Sequence, residues 1–280
     1  MNLSEPKKIS VLPYFILVSL LSIPFYFIFT RPLFPKMLFS MPVGTLMVWV
    51  PFTVGSLLRF REGGGGAVLA LWRRALDFRK IKSALWYVPI LLLLPVAHYL
   101  AYLLSNLLGQ HLGPPTPFWV SPLSYLPMFG VLFLFAIAEE IGWTAYITDP
   151  MIEKFGPLGA AVIIGVYWQM WHWPAHLELG KSISWIAWHT VVGVLVRILM
   201  VWLYKNNAGC VFACVTLHTT VNLAYRIFPV NGSHYDPFTT TIVLGLVVAV
   251  VLFLWRGPNL SDFRPSRPTT STRTLSGAPS

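Results

Sequence analysis

The chain has 280 residues, of which 56% are hydrophobic and only 11% are charged, and its mean hydropathy is +0.66. Soluble domains carry about 25% charged residues, so this composition excludes an ordinary soluble enzyme and indicates a polytopic membrane protein. The net charge of +10 is large enough for a nucleic-acid-binding protein. The basic residues, however, lie beside hydrophobic segments, as topology signals and headgroup contacts do. We therefore predict the lipid bilayer as a partner and no nucleic acid.

Eight apolar segments are long enough to cross a bilayer, which takes about 20 residues. In chain order they cover approximately residues 11–30, 38–58, 86–108, 124–147, 158–177, 183–204, 208–227 and 239–256. The sequence therefore predicts an all-α fold, in which residues 1–256 form a transmembrane helix bundle of about eight spans.

Two segments outside the spans have a different composition. Four glycines at 63–66 are predicted to break the helix of span two, and the amphipathic stretch up to residue 86 is predicted to lie in the membrane interface. Residues 257–280 are rich in Ser, Thr, Pro and Arg. Because such a composition cannot bury a core, they are predicted to form a disordered cytoplasmic tail.

Lysine and arginine are distributed unevenly between the two ends of the predicted bundle. With eight spans, 15 of them lie on the side that carries both termini and 4 lie on the other side. Cytoplasmic loops are enriched in these residues, so we predict a multi-pass integral membrane protein with cytoplasmic N- and C-termini. The remaining basic residue, Arg197, lies inside span six. It is predicted to snorkel to the interface, and the alternative is a pair with a carboxylate inside the bundle.

Two adjacent glutamates, Glu139 and Glu140, interrupt the apolar sequence of span four. An ionised carboxylate near the bilayer centre costs several kcal/mol unless it faces a polar cavity or a partner. Two neighbouring carboxylates cost more, because like charges repel. The pair therefore predicts a protected polar site within the membrane.

Polar residues of two other spans are expected at a similar depth. From a helix rise of about 1.5 Å per residue, Glu139 lies about 12 Å from the cytoplasmic face, His172 about 21 Å and His218 about 15 Å. Asn222 is four residues after His218, on the same helix face, at about 21 Å. All four fall in the middle of a hydrocarbon core about 30 Å thick. We therefore predict that three helices direct these side chains into one intramembrane polar cavity.

These residue types suit the hydrolysis of a peptide bond. Imidazole nitrogens and carboxylate oxygens bind zinc, and zinc turns bound water into a nucleophile, so Glu139, His172 and His218 are candidate zinc ligands. In a metal-free scheme, Glu139 and His172 polarise the water directly. A glutamate can pass the proton to the leaving amine, and Asn222 can donate a hydrogen bond to the oxyanion. The residues leave the choice between the two schemes open.

Three further histidines are interpreted differently. His98 and His189 are predicted to form hydrogen bonds between helices. His176 makes an H-x-x-x-H pair with His172 that can hold a metal. It follows Pro174 and lies near a loop, so it is a weaker candidate ligand than His172 or His218.

Three short motifs resemble those of the CAAX prenyl endopeptidase and bacteriocin-processing (Abi) family of intramembrane metalloproteases. The sequence Glu-Glu-Ile-Gly-Trp at 139–143 resembles the first motif, E-E-x-x-x-R, and Trp168–His172 is similar to the second, F-x-x-x-H, with Trp for Phe. Residues 207–222 match the later H-x-x-x-N motif and its small-residue lead-in. The resemblance covers about residues 124–227. Thr144 occupies the family's arginine position, and Arg197 is a candidate to supply that charge from another helix.

The resemblance implies a bundle, commonly of eight helices, around a cavity open to the cytoplasmic side and laterally to lipid. It implies that Glu139 activates the hydrolytic water with Glu140 as a supporting carboxylate, and that Asn222 stabilises the oxyanion. His172 and His218 would hold water or zinc.

The function expected from this resemblance is that of a metal-assisted endopeptidase acting on a membrane-associated or prenylated peptide near the cytoplasmic face. Two alternatives stay open at this point. One is a proton-coupled transporter that uses the carboxylate pair, and the other is a non-catalytic membrane binding or immunity protein that retains the site.

Overall fold

The computed structural model describes residues 11–28, 43–110, 112, 123, 125–228, 235–255 and 257–260. These residues are predominantly helical, and none of them forms a strand. The α-helices are α1 (Val11–Ile28), α2 (Trp49–Arg74), α3 (Tyr87–Leu107), α4 (Tyr125–Glu140), α5 (Thr148–Glu178), α6 (Ile183–Asn206), α7 (Val211–Ile227) and α8 (Pro237–Leu254). The prediction of an all-α helix bundle is confirmed.

Five helical segments of the described chain are long and apolar enough to cross a membrane. They are residues 84–107, 125–146, 148–178, 183–206 and 237–254, and the apolar α1 is shorter. The protein is thus an integral membrane protein, as predicted. The predicted seventh span, α7, has 17 residues and lies against α3, α4 and α6. Four of its polar side chains are buried by protein, which explains how they are accommodated: Thr216, His218, Thr219 and Thr220.

The glycine run breaks α2, as predicted. The backbone at Gly63 and Gly64 is not helical, and a second helical segment follows this kink as far as Arg74. Gly64 has a φ of +69°, which glycine adopts without the steric cost that other residues incur. After the kink, the apolar side chains of Leu69 and Trp72 and the charged side chain of Arg73 are all exposed, as is typical of an interfacial helix.

A π-helical turn, Ile141–Tyr146, follows directly after the two glutamates, and all six of its residues are buried. Helices α1 and α2 pack closely against it. A Cβ at Gly142 would lie 2.5 Å from the carbonyl oxygen of Pro51 and would also overlap the Tyr14 hydroxyl. Only glycine fits here, so the end of α4 is held firmly against α1 and α2. Single π-helical turns occur frequently at functional sites.

Helices α5 and α6 approach each other through a small residue. A Cβ at Gly165 would lie 3.0 Å from the Cα of Val194 and 3.1 Å from the Cβ of Arg197. Small residues allow such close packing of membrane helices. The close approach helps to position Arg197 in the interior of the bundle.

The predicted disordered tail begins later than expected. Residues Gly257–Asn259 form a short 3-10 turn, Leu260 is buried, and its carbonyl oxygen accepts a hydrogen bond of 3.0 Å from Asn206 Nδ2. For these four residues the prediction of disorder is wrong, because Leu260 reaches the hydrophobic core. The rest of the predicted tail, residues 261–280, lies outside the described residues.

Candidate active site

Glu140 is fully buried, and both of its carboxylate oxygens are hydrogen-bonded to protein groups. Arg197 donates to both, with 2.8 Å between Nη1 and Oε2 and 3.2 Å between Nη2 and Oε1. The Thr144 hydroxyl donates to Oε2, and His218 Nδ1 lies 2.9 Å from Oε1. The carboxylate is therefore saturated, and no side of it is open to the cavity.

The prediction that Arg197 snorkels to the interface is wrong, and its alternative is correct. The arginine is fully buried and pairs with Glu140. Its guanidinium carbon also lies 4.7 Å from the ring centroid of Trp168. Pairing is favoured because a buried carboxylate without a partner is strongly destabilising. Arg197 thus supplies, from α6, the positive charge that Thr144 lacks.

Glu139 faces away from that ion pair, since neighbouring side chains point about 100° apart around a helix. Its Oε2 accepts a hydrogen bond of 2.7 Å from Trp168 Nε1. No described residue is hydrogen-bonded to its Oε1, and Glu139 lines a cavity. One oxygen is held in place, and the other is available to a water or a substrate.

The cavity has a volume of about 170 Å³ and lies between α4, α5, α6 and α7. The predicted residues Glu139, His172, His218 and Asn222 all line it, so the structure brings these four together. Glu140 lies behind His218 and supports it. The remaining wall consists of Trp168, Gln169, His176, His189, Gly193, Val196, Val221 and Tyr225.

Both motif imidazoles are oriented through Nδ1. His172 Nδ1 lies 2.8 Å from the backbone oxygen of Trp168, and His218 Nδ1 is bonded to Glu140. A carbonyl oxygen only accepts hydrogen bonds, so His172 Nδ1 carries the proton and Nε2 of the neutral ring is an acceptor. Within the described chain, neither Nε2 has a hydrogen-bond partner. Imidazoles held in this way serve as bases or as metal ligands.

The predicted zinc ligands have suitable donor atoms and line one cavity. Among the described residues, however, no three His, Cys, Asp or Glu side chains are grouped closely enough to hold a metal ion. Glu139, His172 and His218 therefore do not form a preorganised zinc centre as they are placed. Zinc binding stays a prediction.

Trp168 has a role that the sequence did not reveal. The motif position usually holds phenylalanine, which has no hydrogen-bond donor, whereas the indole N–H of Trp168 binds Glu139. The signal was present in the sequence as the single departure from F-x-x-x-H. The residue thus orients the carboxylate that faces the cavity.

The predictions for the other three histidines have different outcomes. His98 bonds to the Leu94 carbonyl of its own helix, at 2.8 Å, so the predicted bond between helices is wrong for it. His189 is hydrogen-bonded as predicted, but to Tyr235, which precedes α8, with 2.9 Å between Nδ1 and the hydroxyl oxygen. His176 lines the cavity, its ring centroid 6.3 Å from that of His172.

These features define the class of protein: an integral membrane bundle that holds a polar cavity lined by a carboxylate, imidazoles and an amide. Residues 121–224 match the family model described as type II CAAX prenyl endopeptidase Rce1-like. The chain is also 24% identical, over 179 residues, to the protein named CAAX prenyl protease 2 from Methanococcus maripaludis. The alignment covers 59% of this chain and 64% of that relative, which is less than two thirds of the relative's length. Both matches confirm the predicted resemblance to the CAAX prenyl endopeptidase and bacteriocin-processing family.

Proposed function

We propose that the protein is an intramembrane endopeptidase that hydrolyses a peptide bond of a membrane-associated or prenylated peptide. The observation that carries the proposal is the division of labour between two adjacent carboxylates. Glu140 is neutralised by Arg197, whereas Glu139 faces a cavity that also holds two oriented imidazoles and an amide. The name of the Methanococcus maripaludis relative supports the same reaction class.

In the proposed reaction, a water lies between Glu139 Oε1 and His172 Nε2. Glu139 accepts a proton from this water while the water oxygen attacks the carbonyl carbon of the peptide. The side-chain amide of Asn222 donates a hydrogen bond to the oxygen that becomes negatively charged. Glu139 then returns the proton to the departing nitrogen as the C–N bond breaks. The products are a new carboxyl terminus and a new amine.

The surrounding residues keep these groups in position. Trp168 fixes one oxygen of Glu139, and the ion pair between Glu140 and Arg197 fixes His218. Such preorganisation matters because the groups need no rearrangement when charge develops.

The proposal is tested with full-length protein in lipid nanodiscs and prenylated or unprenylated peptides. Glu139→Gln should lower the cleavage rate by about 10²- to 10⁴-fold, the usual contribution of a general base. Glu153→Gln, a matched change at an exposed position of α5, should have no effect. Undiminished cleavage by Glu139→Gln would reject Glu139 as the base. Proton flux across liposomes without any cleavage would support the transporter alternative instead.

The metal-assisted form of the proposal has its own test. If Glu139, His172 and His218 bind zinc, the purified protein should contain about one zinc per chain, and His172→Ala should lose it. If the active protein contained no metal, the protein groups would have to activate the water by themselves.

The side from which substrate enters depends on the orientation of the bundle. His176 and His189 extend the cavity towards the connection at 179–182. The charge bias predicts this connection outside the cytoplasm, whereas the family resemblance implies a cytoplasmic opening. Labelling of single cysteines distinguishes the two orientations. The cysteines are introduced into protein whose Cys210 and Cys214 are replaced by Ala. Cytoplasmic labelling of Lys154→Cys would support the charge bias, and cytoplasmic labelling of Lys181→Cys would support the resemblance.

A further inference from the structure

Gln169 is a polar residue of the cavity wall to which the proposed reaction assigns no role. It lies on α5, three residues before His172, and is only 5% exposed. No described residue is hydrogen-bonded to its side-chain amide, and the protein does not enclose the amide oxygen or nitrogen completely. Buried polar groups are nearly always hydrogen-bonded in native proteins. An unpaired amide that is open to the cavity therefore points to a ligand.

The amide is held in place by the small residue opposite it on α6. A Cβ at Gly193 would overlap three atoms of the Gln169 side chain, Cγ, Cδ and Nε2. The side chain of Gln169 thus lies directly against the backbone of α6. Glycine weakens the interior of a helix compared with alanine, and the room that Gly193 leaves for the amide explains its presence there. Because the amide is already immobilised, little conformational entropy is lost when a ligand binds.

The amide of Gln169 can both donate and accept hydrogen bonds. It differs in this from its neighbours in the cavity, because an ionised Glu139 and Nε2 of neutral His172 only accept. A residue of an extended peptide presents its own N–H and C=O groups to the same side, as in antiparallel strands whose paired residues exchange both bonds. One side-chain amide can therefore form both hydrogen bonds with one residue of an extended peptide.

A peptide that enters an intramembrane cavity needs partners of this kind. Lipid offers none, so every backbone N–H and C=O group within the membrane must be satisfied by protein. A peptide that is extended for cleavage lacks the internal hydrogen bonds of a helix. A buried side chain that offers one donor and one acceptor meets this need for one residue of the substrate.

The position of Gln169 places the bound residue close to the scissile bond. Gln169 and His172 are three residues apart on α5, so their β-carbons lie about 5–6 Å apart on one face of the helix. An extended peptide advances about 3.3–3.6 Å per residue. The residue bound to Gln169 would therefore lie about one or two residues from the bond that the water attacks.

We propose that Gln169 is a substrate-binding residue whose side-chain amide pairs with the backbone N–H and C=O groups of one extended residue near the scissile bond. This inference rests on the proposed peptidase function. Because such contacts do not involve the side chain of the substrate residue, Gln169 selects an extended backbone and not a particular sequence. It takes no part in bond cleavage.

Binding is measured with full-length Glu139→Gln protein in lipid nanodiscs, so that the probe is not consumed. The probe is a synthetic farnesylated peptide. Adding Gln169→Met removes the amide and keeps the side-chain length, and it should weaken binding about 5- to 100-fold, as expected for the loss of two hydrogen bonds. Gln110→Met changes the chain's other glutamine, which is exposed and does not line the cavity, and should leave binding unchanged.

Ester analogues of the same peptide test whether its backbone is the bound group. Replacing one backbone amide by an ester removes one N–H donor at a chosen position. At the position bound to Gln169, the ester should weaken binding about two- to tenfold, and it should have no effect once Gln169→Met is present. If the ester had the same effect at every position with and without Gln169→Met, the proposed pairing would be overturned.

Gly193→Ala tests the placement of the amide by a different route. The new methyl group would take the place of the amide and should weaken binding as Gln169→Met does. Combined with Gln169→Ala, which leaves room for the methyl group, Gly193→Ala should cause no further loss. The melting temperature of Gln169→Met should hardly change, because no described residue is hydrogen-bonded to the amide. A Gln169→Met protein that failed to fold, or that bound the peptide as tightly as its parent, would contradict the proposal.

With active wild-type protein, KM and kcat separate substrate binding from chemistry. Gln169→Met should raise KM and leave kcat nearly unchanged, because a contact made equally before and during the reaction is lost. A fall in kcat with an unchanged KM would mean that the amide holds the attacking water, and it would overturn the proposal. If Gln169→Met cleaved the peptide as the wild type does, only this inference would fail. If neither the wild type nor the Glu139→Gln protein bound the peptide, the proposed function and this inference would fail together.

Discussion

Glu139 and Glu140 are adjacent in sequence, yet their surroundings are opposite. Glu140 lies in a dry, fully paired region, where Arg197, Thr144 and His218 occupy its two oxygens. Glu139 lies in a region that is only half paired, with one oxygen bonded to Trp168 and the other available to the cavity. The saturated carboxylate provides a rigid support, and the available carboxylate provides chemistry. A single helix can serve both purposes because adjacent side chains point about 100° apart and therefore face different surroundings.

The largest expected effect concerns the paired region. Arg197→Met keeps much of the side-chain volume but leaves Glu140 charged, buried and unpaired. Breaking a buried pair in this way typically destabilises a protein by about 3–5 kcal/mol. Denaturant unfolding in detergent micelles should show a loss of this size.

A double variant completes that experiment. Arg197→Met combined with Glu140→Gln removes both charges and should recover most of the lost stability. If Arg197→Met alone were as stable as the wild type, Glu140 would not carry a charge that needs this partner.

The second largest expected effect is a fall in kcat when a polar group of the cavity is removed. Asn222→Ala should lower kcat by about 10²- to 10³-fold, the usual cost of losing one oxyanion donor. The melting temperature should hardly change, because Asn222 has no described hydrogen bond and lines the cavity. Steady-state cleavage and thermal melting measure the two quantities. Asn106→Ala, on α3, is the matched control, and an unchanged kcat for Asn222→Ala would exclude the oxyanion role.

The smallest expected effect is a loss of stability in the paired region around Glu140. Thr144→Val preserves shape and removes one hydroxyl that donates to Glu140. The expected loss is about 0.5–1.5 kcal/mol, because Arg197 still contacts both carboxylate oxygens. Comparing its melting temperature with that of Thr53→Val isolates this contribution, because the Thr53 hydroxyl is bonded only to the backbone of its own helix. A large loss of activity with unchanged stability would mean that Thr144 acts in the cavity region.

Much of the fold and the set of site residues could be predicted because both depend on local regularities. Length and hydropathy define membrane helices, and the constant rise of a helix places Glu139, His172, His218 and Asn222 at comparable depth. The four-residue spacing of His218 and Asn222 puts them on one face whatever surrounds the helix. The structure accordingly brings all four residues to one cavity.

Other features depend on how helices pack against each other. The pairing of Arg197 with Glu140 requires α6 to approach α5 at Gly165, which no local pattern specifies. The burial of Leu260 likewise depends on packing against neighbouring elements. The polarity and depth of each side chain follow from its own helix, so the sequence by itself determined which groups lie inside the membrane. Only the tertiary structure decided that Arg197 pairs with Glu140 and that Trp168 orients Glu139 on the cavity wall, because an ion pair and a cavity wall are each formed by residues from different helices.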